Sequence, residues 1–78
     1  MNREKKEFDF IPQTGDTYYF TRLMAMRKVY EVQCDKWTGS LFGMARLANA
    51  NVFRTSEEAQ EYADSMNLRL SKVCALYI

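Results

Sequence analysis

The chain has 78 residues, 47% of them apolar and 14% aromatic, with 11 basic against 10 acidic side chains and a net charge of +1. That length holds one folded domain with a small core, and the apolar content separates it from disordered chains. The near-zero charge excludes an acidic DNA mimic and a strongly basic binder of phosphates, and the absence of histidine removes the commonest general base and metal ligand.

Residues 1–10 read as a flexible lead-in and residues 11–78 as a single α+β domain. MNREKKE at 1–7 is a solvated mixed-charge run with no signal-peptide pattern. Phe8–Asp16 is expected to run extended, because Pro12 biases Ile11 away from the helical region, and to lay Phe10 or Ile11 on the core. Thr14-Gly15-Asp16 then marks a turn. Thr17–Leu23 is rich in threonine and aromatics and reads as a strand. Tyr18, Phe20 and Arg22 point one way and Tyr19, Thr21 and Leu23 the other, so both faces are expected to be covered. Met24–Arg27 makes a weakly specified turn without glycine or asparagine. Lys28–Asp35 alternates as a half-buried antiparallel strand, with Tyr30, Val32 and Cys34 on one face and Val29, Glu31 and Gln33 on the other.

Lys36–Ser40 is a turn carrying the single tryptophan, Trp37, read as a cover for the core or as an exposed anchor for a partner. Leu41–Ala50 allows two readings. A short helix capped by Ser40 lines up Leu41, Met44, Ala45 and Ala48; a third strand alternates instead. Gly43 harms both.

The strongest local signal is Asn51–Asn67. Thr55 and Glu58 form a capping box, and Glu57 and Glu58 favour the helix N-terminus. Ala59, Tyr62, Ala63 and Met66 recur as one apolar stripe. The pattern predicts the main helix over about 56–66, ended by Asn67 as a left-handed cap. Leu68–Ile78 then alternates and predicts a C-terminal strand at about 69–77. The fold expected is a small antiparallel sheet, a hairpin plus that strand, packed on one main helix, with a short helix or third strand at about 41–49.

Four elements in order, IP-x-x-GD-x-YYF at Ile11–Phe20, Trp37, Arg46 and NVFRTSEEA at Asn51–Ala59, resemble a family of small proteins from phages and prophages of Firmicutes and Bacteroidetes. The resemblance spans about Ile11 to Ala63. Gly43 stands where that family has an aspartate three residues before the arginine, and Ala50 where it has a glycine before Asn-Val-Phe. By these departures an Asp–Arg pairing of that kind and a helix-ending glycine are expected to be missing. The resemblance implies a mobile-element origin and action inside a bacterial cell, and implies no catalytic residue.

No enzyme is expected. A histidine-activated nucleophile is excluded, and the three glycines form no phosphate loop. The carboxylates Glu57, Glu58, Glu61 and Asp64 read as a solvated helix face. No cofactor or metal is expected, since two cysteines without histidine make a poor zinc site. Cys34 and Cys74 read as reduced thiols of a cytoplasmic protein; a disulfide between them needs an oxidising compartment. No segment approaches the ~18 apolar residues of a membrane helix.

The leading functional expectation is a protein-binding module directed at a host bacterial protein, in its sharper form an inhibitor of a bacterial defence system of the anti-CRISPR kind. Its contact residues are expected among Tyr19, Arg22, Trp37 and Tyr77, because Trp, Tyr and Arg dominate hot spots. The first alternative is nucleic-acid binding by the hairpin, with Arg22, Arg27, Lys28 and Lys36 on phosphates and the tyrosines stacking on bases. The second is a homo-oligomer, for instance a dimer through the open edge of the last strand.

Overall fold

The computed structural model describes residues 8–77. Its first ordered unit is a hairpin of β1 (Thr17–Met24) and β2 (Val29–Lys36), paired antiparallel in unbroken register from Thr17 opposite Lys36 to Met24 opposite Val29. The turn between them lacks the glycine or asparagine that favours tight hairpins. It closes with the Arg27 and Lys28 amides both donating to the Met24 carbonyl, at 3.0 and 2.8 Å, and Lys28 takes the left-handed conformation at φ 61°.

The Thr-Gly-Asp signal extends the open end of the hairpin. Gly15 turns the chain at φ 93°, the Asp16 carboxylate accepts from the Gln13 amide at 2.9 Å, and Gly15 and Asp16 exchange backbone hydrogen bonds with Trp37. The lead-in is pinned from Phe10 onward. Phe10 packs against the core and Pro12 is buried, whereas Ile11 stays 63% exposed. The solvated run expected at 1–7 lies outside the described residues.

β1 is covered on both faces, as its two-sided aromatic pattern requires. Tyr18 (1% exposed) and Phe20 are buried on one side and Thr21 on the other. On the first side sits the core, formed by Tyr18, Phe20 and Val52 with Phe10, Trp37 and Leu47 packed around them. Trp37 meets Tyr18 edge-on, with ring centroids 5.6 Å apart, so it covers the core.

The ambiguous stretch is a helix, α1 (Leu41–Ala48), capped by Ser40, whose hydroxyl accepts from the Gly43 amide at 3.1 Å. Gly43 faces inward under Trp37: a Cβ there would come within 3.0 Å of the indole ring. The apolar row Leu41, Met44, Ala45, Ala48 faces outward, because Gly43, Arg46 and Leu47 take the inner side. Arg46 clamps α1 to β1. Its guanidinium lies 3.8 Å from the centroid of the Phe20 ring, donates to the Tyr18 hydroxyl at 2.8 Å and approaches Asp35 at 3.5 Å. Although position 43 is a glycine, Arg46 thus has a carboxylate neighbour in Asp35.

The main helix, α2, runs from Ser56 to Tyr77. Its start is as expected, with Thr55 accepting from the Glu58 amide at 3.2 Å and Ala59 and Ala63 fully buried. The C-terminal strand expected at 69–77 does not form, and Asn67 is no terminal cap. Leu68–Tyr77 contains neither glycine nor proline and is rich in leucine, arginine, lysine and alanine, all good helix formers. The stripe of Ala59, Ala63 and Met66 continues in phase through Leu70 and Cys74, both half-buried. The side-chain amide of Asn67 is fully used in the middle of the helix. Its Oδ1 accepts from the Tyr30 amide at 2.6 Å, and its Nδ2 donates to the Tyr30 carbonyl at 3.1 Å.

Asn51 does the same on the other edge of the hairpin. Its Oδ1 accepts from the Thr21 amide and its Nδ2 donates to the Thr21 carbonyl, both at 2.8 Å. Two residues on, Phe53 exchanges both backbone hydrogen bonds with Tyr19. Two asparagine amides, acting as substitute peptide units, thus satisfy strand groups that a third and fourth strand would otherwise pair. The result is an α+β fold with a two-stranded sheet, flanked by a short helix and a long one that lies against both strands.

Candidate partner-binding groove

Three segments converge beside the start of α2. The lead-in brings Phe8 and Phe10, the chain after α1 brings Val52, Phe53 and Arg54, and the first two turns of α2 bring Glu58, Glu61 and Tyr62. Between them opens a groove of about 640 Å³. Its position follows from the fold. The Tyr19–Phe53 bridge holds the 52–54 segment along β1, and the Thr55 cap turns the chain into α2 directly after it.

The walls are aromatic. Phe53 and Tyr62 stack in a tilted pair with centroids 5.4 Å apart. The Arg54 guanidinium lies 4.5 Å from the centroid of the Phe10 ring. Leu47 and Val52 contribute apolar surface continuous with the core. The rim is acidic: Asp9, Glu58 and Glu61 stand against the single guanidinium of Arg54. Glu58 and Glu61 lie one turn apart on the same face of α2. The ion pairs formed among the described residues are Arg27–Glu31 and Arg46–Asp35, so Glu58 and Glu61 have no cationic partner there.

None of the residues expected at a partner interface lines this groove. Tyr19 is half-buried in β1 with its backbone paired to Phe53. Arg22 is exposed on β1 opposite Glu31. Trp37 is packed on Gly43 and Tyr18, and Tyr77 is 83% exposed at the end of α2. The structure does not gather the four into one surface: Trp37 is packed into the core, and Tyr77 lies at the far end of α2.

The basic set divides as well. Arg22, Arg27 and Lys28 gather at the turn end, where Arg27 pairs with Glu31. Lys36 lies opposite Thr17 at the other end of the strands, roughly 17 Å from Arg22 along the strand and farther from Arg27 and Lys28 at the rise of an extended chain. The groove residues escape sequence reading because they come from three places in the chain. The one local hint is Tyr62 within the apolar stripe of α2, and it ends up 36% exposed against Phe53.

Among the described residues, no group of three His, Cys, Asp or Glu side chains is placed to hold a metal ion. Both cysteines are free, Cys34 exposed and Cys74 half-buried. No helix among the described residues is long and apolar enough to cross a membrane. Fold and groove define a small α+β domain bearing an aromatic-walled, acid-rimmed cleft at a helix N-terminus. Set against protein families, curated proteins and solved structures, the chain matches none of them.

Proposed function

We propose that this protein is a non-enzymatic binding module that takes a segment of a partner protein into the groove between the lead-in and the start of α2. The observation that carries the reading is the cleft of about 640 Å³ walled by Phe8, Phe10, Phe53 and Tyr62. In so small a domain, aromatic side chains left lining an open cleft are surface that a partner can bury. Aromatic anchors in a central pocket, ringed by polar groups, are also how protein interfaces concentrate their energy.

The partner in this reading is a host protein met inside a bacterial cell. The sharper form is a phage or mobile-element accessory protein that blocks a defence system, in the manner of an anti-CRISPR. That form is supported by the size of the chain and by its Gly-Asp-x-Tyr-Tyr, Trp37, Arg46 and Asn-Val-Phe pattern. The groove adds to it only a place to bind.

The test is a tagged pull-down from bacterial lysate, with and without nuclease, run in parallel on the wild type and on Tyr62→Ala. The expected result is a stoichiometric host protein that survives nuclease with the wild type and is lost with the variant. Recovery of nucleic acid alone, removed by salt, would overturn the reading, as would equal capture by both proteins.

A further inference from the structure

We infer that the groove selects a cationic side chain: its ligand is a lysine or arginine on the partner, flanked by apolar residues. The inference rests on the binding-module reading and adds the chemistry of what is bound. Three observations carry it.

The first is the wall. Aromatic faces are negative at their centres and attract cations set over them. In this groove the principle is already at work within the chain, since the Arg54 guanidinium sits over Phe10. The Phe53–Tyr62 pair, which also lines the groove, has no cation over either ring among the described residues.

The second is the rim. Glu58 and Glu61 stand one helical turn apart, next to that second pair of rings and without an ion-pair partner among the described residues. A carboxylate hydrogen-bonds a guanidinium or ammonium with the charge-assisted strength that neutral donors lack. An anionic ligand would meet three carboxylates and one guanidinium, so it is disfavoured. A purely apolar ligand would leave the two glutamates partly desolvated with nothing in return.

The third is the shape. The floor of Leu47 and Val52 is apolar. Lysine and arginine carry aliphatic stems that bury along such surface while the charged head reaches a polar rim. The lining thus offers apolar surface for the stem of a long basic side chain, and rings and carboxylates for its charged head.

The experiment is an NMR titration of the full chain with three blocked tripeptides, acetyl-Leu-Lys-Leu-amide, acetyl-Leu-norleucine-Leu-amide and acetyl-Leu-Glu-Leu-amide, each followed to about 5 mM, the range expected for so small a ligand. The expected result is that the lysine peptide shifts signals of Phe53, Glu58, Glu61 and Tyr62. It should bind at least about tenfold more tightly than the norleucine and glutamate peptides. The double variant Glu58→Gln, Glu61→Gln, which keeps the size and helix preference of both residues, should bring the lysine peptide down to the norleucine level.

Equal binding of the lysine and norleucine peptides would overturn the inference, as would lysine binding untouched by the double variant or no shift in the groove at all. A further variant, with Arg3, Lys5 and Lys6 changed to glutamine, addresses the chain's own basic residues. If the lysine peptide binds only to that variant, the groove belongs to the protein's own N-terminal segment and the inference also falls. Failure here is distinct from failure of the wider reading. A host protein whose capture requires Tyr62 but is indifferent to the glutamate variant leaves a binding module whose ligand is apolar.

Discussion

Ala50 sits at φ 58°, in the left-handed region that side chains with a Cβ occupy at a cost of roughly 1–2 kcal/mol. It follows Asn49, the C-cap of α1, and its amide donates to the Leu47 carbonyl at 2.9 Å, so the strain is held in place by helix-end hydrogen bonds. Replacing it with glycine removes the strain and gives back part of the gain through the larger entropy of an unfolded glycine. Ala50→Gly is therefore expected to stabilise the fold by about 0.5–1 kcal/mol, a rise of a few degrees in the midpoint of a thermal melt followed by circular dichroism.

Gly43 behaves in the opposite sense. In a helix interior it looks like a defect that alanine would repair by about 1 kcal/mol. The added Cβ, however, would lie 3.0 Å from the Trp37 ring, against which the core is closed. Gly43→Ala is expected to lower the melting midpoint, because the indole must leave the position in which it packs on Tyr18. In the sequence the two positions are a glycine inside a helix-forming run and an alanine just beyond it. Only the structure explains them, since one depends on a backbone angle and the other on a ring from a different element.

At the level of elements, sequence reading succeeds where a residue's partner is nearby in the chain. The Thr55 cap, the Ser40 cap, the Gly-Asp turn and the pairing of the hairpin strands are all local, and all are present, although β2 is half-buried from Val29 to Gln33 without the expected alternation. It fails after Asn67, where leucines at alternate positions suggest a strand and an asparagine suggests a stop. The partner of Asn67 is the backbone of Tyr30, 37 residues earlier, and no local pattern announces that contact.

The two asparagine straps carry a testable weight. Asn67→Ala leaves the Tyr30 amide and carbonyl without partners in a partly buried setting and is expected to cost about 1–2 kcal/mol in chemical denaturation. Asn67→Asp keeps an acceptor for the amide but turns a second oxygen towards the carbonyl, so it should also destabilise. Arg69→Ala, on an exposed position of the same helix, should stay within about 0.5 kcal/mol of the wild type. Equal effects at 67 and 69 would mean that the strap contributes nothing and that α2 is held by its alanine face alone.

Across the whole molecule, the groove is not legible in the sequence for one reason: an apolar side chain in the sequence does not say whether it faces the core, a cleft or solvent. Leu41 and Phe42, each 76% exposed, make the point. Spacing places Leu41 on a helical apolar row that would ordinarily be the buried one, yet the inner side of α1 is taken by Gly43 under Trp37, by Arg46 on Phe20 and by Leu47. A glycine and an arginine displace the leucine because the tryptophan needs the space and the Tyr18 hydroxyl needs a donor.

The arrangement makes an unequal prediction within one short helix. Leu41→Ser and Phe42→Ser remove large apolar groups that touch little. They should leave the unfolding free energy within about 0.5 kcal/mol of the wild type. Leu47→Ala removes a half-buried side chain packed on Tyr18, Phe20 and Val52, and should cost about 1–2 kcal/mol, short of the 2–5 kcal/mol of a fully buried leucine. Urea denaturation of the three variants is the measurement. If Leu41→Ser proves as damaging as Leu47→Ala, then α1 packs by its leucine row, Arg46 is no clamp on Phe20, and Leu47 does not line the groove.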